Sequence, residues 1–114
     1  MTPAEMDRLA AEKIMGYGWC KFPAGWVEKN RKAFVYKWSP TTNEQNAAMV
    51  RDEMLKNGWK LKALSGPFDM HSVGFKRGSE KAHYMAVAFT YALTAAALLA
   101  VGAVTEEEIA NGSN

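Results

Sequence analysis

The chain has very few of the residues from which disulfide frameworks and metal sites are built. It contains one cysteine, Cys20, and two histidines, His71 and His83, among 114 residues. A single thiol cannot close an internal disulfide, which excludes a disulfide-stapled secreted scaffold and points to a reducing compartment. Three donors far apart in the chain do not form the closely spaced ligand set that metal ions require. We therefore expect a cytoplasmic protein that holds no metal and no other cofactor.

Catalytic signatures are missing as well. Ser65 and Ser79 lie in expected turns without the nucleophile-elbow pattern, and no Gly-x-x-x-x-Gly-Lys phosphate loop occurs in the sequence. Cys20 has no histidine near it in the sequence to activate its thiol. We expect the protein not to be an enzyme, and nucleophilic catalysis by Cys20 or His83 is the enzymatic alternative.

Apolar runs are short until Glu80, after which the chain is almost continuously apolar as far as Val104. This run is long enough to cross a bilayer, which takes about 20 residues. Alanine dominates it, however, it includes the polar His83, and three glutamates follow at 106–108. The pattern predicts a long buried core helix over residues 80–104, with a membrane anchor as the alternative. In so small a domain, a helix that is apolar on all sides predicts a second copy packed against it, and hence a homo-oligomer.

What the chain does have is the composition of a folded domain. Its mass of 12.6 kDa and its 48% of hydrophobic residues fit one globular core. We expect a single α/β domain over residues 1–104. A short acidic turn and a frayed tail follow over residues 105–114.

Two helix starts carry capping residues. Residues 2–5 (Thr-Pro-Ala-Glu) predict a capping box at the start of a first helix, which ends before Gly16. Thr41, with Glu44 three residues later, predicts the cap of a second helix that ends at Asn57-Gly58.

Alternating and aromatic stretches predict two hairpins. Residues 25–28 and 33–38 have the pattern of strands around a basic turn at 29–32, and residues 59–64 and 68–75 form a second pair. With the helices, the pattern predicts an α+β fold. In it, a small antiparallel sheet of two hairpins packs with two to three helices as an α/β/α sandwich, and the last helix is long and apolar.

Positive charge is concentrated in the middle of the chain. The formal net charge is +2, but residues 13–81 hold thirteen of the fourteen Lys and Arg residues against six of the twelve acidic ones. All four tryptophans lie there too. This composition is typical of a surface that binds phosphates and stacks bases. The alternative is that the lysines keep the outer face of half-buried strands solvated.

Ten residues make up the expected site for an anionic ligand. Basic side chains in close groups hold phosphate through charge-assisted hydrogen bonds, and aromatic rings stack a base, each stack contributing about 1–3 kcal/mol. The expected set is Trp26, Arg31, Lys32, Tyr36, Lys37, Trp38, Trp59, Lys76, Arg77 and His83. Core packing is the alternative role for the tryptophans, and capping or packing is the alternative for His83.

The order of several short motifs points to a family. Residues 12–16 (Glu-Lys-Ile-Met-Gly), residues 38–42 (Trp-Ser-Pro-Thr-Thr), Gly58-Trp59 and an Ala/Leu-rich closing helix follow one another along the chain. In this order the chain resembles the phage ABA sandwich domain family over most of residues 4–103. The resemblance implies an α/β/α layering and a place among phage and prophage proteins, without a particular activity. The chain differs in a longer, more basic stretch before residue 38 and in a more apolar last helix.

The resemblance and the basic middle segment lead to one hypothesis and two alternatives. The leading hypothesis is a non-catalytic phage accessory protein in the host cytoplasm, which counters host defence by sequestering an anionic nucleotide second messenger. The first alternative is an inhibitor that binds nucleic acid or a host defence protein, which requires a continuous basic face instead of a closed pocket. The second is a small membrane-tethered phage protein. Salt distinguishes the first two, because binding of a phosphate backbone weakens steeply with ionic strength.

Overall fold

The computed structural model of the chain describes residues 1–28 and 33–111. It contains four helices and six strands within these ranges. In chain order they are α1 (Pro3–Leu9) with a π-helical extension (Ala10–Met15), β1 (Gly18–Lys21), β2 (Ala24–Val27), β3 (Phe34–Val35), α2 (Glu44–Lys56), β4 (Lys60–Ser65), β5 (His71–Arg77), β6 (Glu80–Ala86), α3 (Phe89–Ala100) and α4 (Glu106–Asn111). A short 3-10 turn, Pro67–Asp69, links β4 to β5.

The first helix begins and ends where the sequence predicts. The Glu5 backbone N–H donates to the Thr2 hydroxyl over 3.2 Å, and the Glu5 carboxylate accepts a hydrogen bond from the backbone N–H of Thr2, which completes the capping box. Gly16 ends the π-helical extension in the left-handed conformation, with φ of 71°. Met6 and Ala10 on the buried side are fully enclosed.

The second helix ends as predicted, but its predicted cap is wrong. Asn43 is the N-cap, and its side-chain oxygen accepts from the Asn46 backbone N–H over 2.9 Å. Thr41 is turned instead toward α1, where its hydroxyl donates to the Asp7 carboxylate over 3.1 Å. A threonine hydroxyl can hydrogen-bond to a neighbouring element or to the end of a helix, and here it bonds to the neighbouring element.

The strands form two antiparallel sheets of three strands each, with orders β1-β2-β3 and β4-β5-β6. The first expected hairpin is present as β2 and β3, although its turn, residues 29–32, lies outside the described residues. The second is present as β4 and β5. The α+β class is therefore confirmed, with two small sheets in place of one.

The long apolar helix over residues 80–104 is not formed. The first seven residues of this range are the strand β6, which pairs with β5 along its whole length, and the helix α3 begins only at Phe89. The tight turn at Gly78, where φ is 61°, folds the chain back onto β5. Pairing and burial of alternate β6 residues thus override the helix propensity of the alanines. No helix among the described residues is long and apolar enough to cross a membrane.

The core lies around α3. Residues Ala92 to Leu98 are at most 1% exposed, and α1 with its extension, α2, β5 and β6 pack around them. The apolar sides that prompted the expectation of a homo-oligomer are therefore covered within the chain, and oligomerisation stays a prediction. In the expected acidic turn and tail, residues 106–111 form α4, which buries Ile109 in this core and is capped by reciprocal hydrogen bonds between Thr105 and Glu108, and residues 112–114 lie outside the described residues.

Candidate functional site

The sheet β4-β5-β6 has one face in the core and one face open to solvent. Val73 and Phe75 on β5 are buried beneath α3, and the strand alternation turns their neighbours to the opposite side. The outward positions on the three strands are Lys60, Lys62, Leu64, Ser72, Gly74, Lys76, Lys81, His83 and Met85. We call these nine positions the lysine face. None of them is acidic.

Three lysines stand side by side across this face. Lys60 is the register partner of Lys76 in the β4-β5 pair, and Lys76 is the partner of Lys81 in the β5-β6 pair. Directly opposite side chains in an antiparallel pair have Cβ atoms about 5 Å apart, and like charges at that distance destabilise the pairing. The row therefore carries a cost to the fold that packing does not explain.

A second row follows the first along the strands. It contains Lys62, Gly74 and His83, again in direct register. Gly74 leaves the backbone bare at the centre of the face, so a ligand can approach the sheet closely there. His83 is exposed, and its imidazole is hydrogen-bonded to the Ser72 hydroxyl on the same face.

The charges of the lysine face are uncompensated in the part of the chain that the structure describes. The ion pairs in residues 1–28 and 33–111 are Arg51 with Asp52 and Arg77 with Glu80, both away from this face. Four ammonium groups on one solvent-exposed sheet surface with no carboxylate among them produce a local positive potential. Such a potential attracts polyanions from solution.

The ten predicted site residues are divided among several places. Lys76 and His83 lie on the lysine face, and Trp26 and Trp38 line a cavity beside α1. Trp59 with Arg77, and Tyr36 with Lys37, form two further pairs. Arg31 and Lys32 lie outside the described residues. The structure therefore does not bring the described members of the set to one pocket.

The pair of Trp59 and Arg77 has a packing role. Trp59 is 4% exposed, and the guanidinium of Arg77 lies 4.4 Å from the centre of its ring. Arg77 also pairs with the Glu80 carboxylate at 3.2 Å and donates to the Asn57 carbonyl. Because these contacts already occupy the guanidinium, Arg77 has little capacity left for a phosphate.

Tyr36 and Lys37 lie at the surface after β3. Tyr36 is 77% exposed, and the Lys37 ammonium is 5.5 Å from the centre of its ring. Lys37 has φ of 55°, in the left-handed region that a lysine adopts only under constraint. Neither residue belongs to the lysine face.

The cavity beside α1 has a volume of about 520 Å³ and is lined by indole rings. Its walls are Ala4, Asp7, Arg8, Glu12, Trp19, Trp26 and Trp38. Trp38 is fixed by its indole N–H, which donates to the Asp7 backbone carbonyl over 2.8 Å. Burial raises the pKa of the Asp7 carboxyl, and hydrogen bonds from Thr41 and Ser39 oppose that shift.

Groups that could support catalysis are dispersed. The Cys20 thiol contacts the Phe22 carbonyl at 3.5 Å, without an imidazole beside it in the described chain. Within residues 1–28 and 33–111, no group of histidine, cysteine and carboxylate side chains has the arrangement of a metal site.

No protein-family model and no curated protein sequence matches the chain. One solved structure does. The fold is similar to that of a phage protein. That protein, from Bacillus cereus, was solved as a 2.0 Å crystal structure and superimposes with a TM-score of 0.68, over 86% of this chain and 90% of its own. The sequences are 18% identical, so the likeness establishes a shared fold, while membership of the ABA sandwich family stays a prediction.

Sequence analysis missed Lys60, Lys62 and Lys81. The alternation of Trp59-Lys60-Leu61-Lys62 does place both lysines on one side of a strand, and that signal was available. The pattern over residues 80–104 predicts a helix, and in a helix Lys81 is not placed beside Lys76. A hairpin turn at Gly78-Ser79 places Lys81 directly opposite Lys76.

Proposed function

We propose that this chain is a non-catalytic phage accessory protein whose lysine face binds nucleic acid, a phosphate-rich polyanion. The phage assignment draws on the similar fold of the Bacillus cereus phage protein. The binding assignment draws on one observation, the row of Lys60, Lys76 and Lys81 in direct register on an open sheet. Polyanion binding accounts for that repulsive row, because phosphates placed between the lysines attract the ammonium groups that otherwise repel one another.

The shape of the surface favours a chain of phosphates over a single small anion. Seven of the nine positions of the lysine face are exposed and the other two are half-buried, so an extended backbone can lie across it. Lys62 and His83 in the second row extend the contact along the strands. Leu64 and Met85 at the far end are 58% and 52% exposed and offer apolar contact to bases.

A nucleotide second messenger, the leading ligand of the sequence analysis, needs an enclosed pocket with free cations. A cavity of about 700 Å³ between α2 and α3 contains Arg51 and His71. Arg51 is already 3.0 Å from the Asp52 carboxylate, and Glu44 adds negative charge to the wall. Sequestration of a messenger therefore has less support than binding of a polyanion, and it is retained as a competing outcome of the test.

The test is a titration of fluorescein-labelled single-stranded and double-stranded DNA followed by anisotropy. Replacing Lys60, Lys76 and Lys81 together by Gln should weaken binding at least about tenfold, because three phosphate contacts are removed. Gln is chosen because it removes the charge and leaves a polar side chain only one bond shorter than that of Lys.

A second triple variant is the matched control. Lys13, Lys21 and Lys56 are exposed and lie on other elements, so changing them to Gln lowers the net charge equally. That variant should bind within about threefold of the wild type. Equal losses in both variants would show that net charge alone drives binding and would contradict a defined face. Salt-insensitive binding of a cyclic dinucleotide, without binding of DNA, would favour messenger sequestration instead.

A further inference from the structure

The cavity beside α1 differs in character from the lysine face. Three of the four tryptophans meet there, and Trp19 remains 57% exposed although it is the largest type of side chain. Trp19 packs edge-on against Trp26, with ring centres 5.0 Å apart and planes at 74°. An indole ring that packs on one side and stays open on the other is typical of a ligand contact rather than of a core.

The other described residues of the lining carry more negative than positive charge. Among them Asp7 and Glu12 contribute two carboxylates and Arg8 contributes one guanidinium. The Asp7 oxygens accept hydrogen bonds from the Thr41 backbone N–H at 2.9 Å and from two hydroxyl groups. Asp7 therefore supplies charge from behind the wall, while Glu12 is exposed and free to contact a ligand directly. This balance disfavours a phosphate.

We propose that this cavity binds a small organic cation with an N-alkylated ammonium group. The faces of indole rings carry negative electrostatic potential and attract such cations, tryptophan more strongly than tyrosine or phenylalanine. Glu12 adds an electrostatic attraction at the mouth of the cavity. A volume of about 520 Å³ accommodates a ligand of this size. The inference concerns a surface separate from the lysine face and does not depend on nucleic-acid binding.

The indole N–H signals in an NMR titration with choline test the proposal. The cavity tryptophans Trp19, Trp26 and Trp38 should shift together on one binding curve. Trp59 is buried against Arg77 and lines a different cavity, so its signal should stay in place and serves as an internal control. Choline concentrations up to about 10 mM suffice for the weak binding expected of an exposed cation–π site.

A neutral isostere separates charge from shape. We expect 3,3-dimethylbutan-1-ol, which has the shape of choline without its charge, to bind at least about fivefold more weakly. Equal binding of the alcohol would overturn the proposal and leave the cavity as an apolar cleft. Tighter binding of neutral adenosine than of choline would also overturn it, since the rings would then serve to stack a flat base. The absence of any shift in the cavity signals is the third contradictory result.

Two variants and one control variant test which residues bind choline. Glu12→Gln should weaken choline binding about threefold or more with little effect on the alcohol, because it removes only the charge at the mouth. Glu44→Gln, an exposed acid outside this cavity, is the matched control and should bind choline as the wild type does. Trp19→Leu should abolish the shift at Trp26. Because Trp19 is mostly exposed, that variant retains the core.

Discussion

At the scale of single residues, Asp7 connects α1 to the segment before α2. Its carboxylate accepts from the Thr41 backbone N–H, the Thr41 hydroxyl and the Ser39 hydroxyl, and its carbonyl holds Trp38. Thr41 is 2% exposed, so water cannot replace Asp7 as the acceptor for its backbone N–H and its hydroxyl. Asp7 thereby fixes the segment before α2 through its side chain, and Trp38 in the wall of the indole-lined cavity through its backbone carbonyl.

Asp7→Ala should lower the free energy of unfolding by about 1–3 kcal/mol, since it leaves buried donors of Thr41 unpaired. Urea unfolding followed by circular dichroism measures the change. Asp52→Ala is the control, because Asp52 is exposed and its charged partner is the exposed Arg51, and the substitution should cost about 0.5 kcal/mol or less. Similar effects of the two substitutions would show that the Asp7 contacts contribute nothing specific.

Tyr17 is a second informative residue, because its hydroxyl is buried without a hydrogen-bond partner among the described residues. Burial, together with the negative charges of Glu28 and Glu53, raises its pKa to about 12. Tyr17→Phe removes an unsatisfied polar atom, so the variant should be as stable as the wild type or more stable by about 1 kcal/mol.

The stability difference between the wild type and Tyr17→Phe should change with pH in one direction. The phenol is harder to ionise in the folded state than in the unfolded state, where its pKa is 10.0. The wild type therefore loses stability relative to the variant as pH rises from about 10 to about 12, and the difference is constant at lower pH. Unfolding curves for both proteins across this range measure it. A wild-type advantage that grows with pH would contradict the assigned burial.

At the scale of elements, local signals were sufficient where local contacts decide the structure. The capping box at Thr2 and the end of α1 at Gly16 involve only neighbouring residues, and both were predictable. The strand β6 was not, because its alanines favour a helix and only pairing with β5 makes it a strand. The cap at Thr41 failed for the same reason, since its partner Asp7 is distant in sequence.

Lys76, the central lysine of the row, should lower the stability of the fold and strengthen the binding of DNA. Lys76→Thr removes repulsion from both Lys60 and Lys81 and introduces a good strand former, so the variant should be more stable by about 0.5–1 kcal/mol at low salt. The gain should shrink at high salt, where the repulsion is screened. Urea unfolding at two salt concentrations measures both effects, and the variant should bind DNA more weakly.

Lys62→Thr is the matched control on the same face. Lys62 stands opposite Gly74, so no lysine repels it directly. Its substitution should give a smaller gain that depends less on salt. If Lys76→Thr is no more stable than Lys62→Thr, the register row carries no strain and loses its value as the sign of a binding site.

At the scale of the whole molecule, the two proposed binding surfaces differ in charge and lie apart. The lysine face is positive, and the indole-lined cavity beside α1 is an open cleft whose described lining residues include two carboxylates and one guanidinium. The sequence revealed the positive segment and its tryptophans but placed them together. Their separation follows from strand register and from the packing of α1, which bring together residues as far apart as Lys60 and Lys81, or Asp7 and Trp38. A count of charges along the sequence shows neither the strand register nor the packing of α1.

The salt dependence of DNA binding tests the central claim most directly. The logarithm of the association constant should fall linearly with the logarithm of salt concentration, with a slope of about −3 for three to four phosphates held by the lysine face. In the Lys60, Lys76 and Lys81 triple Gln variant the slope should move toward zero by about 2, and in the Lys13, Lys21 and Lys56 triple variant it should stay unchanged. The same slope in all three proteins would contradict the account.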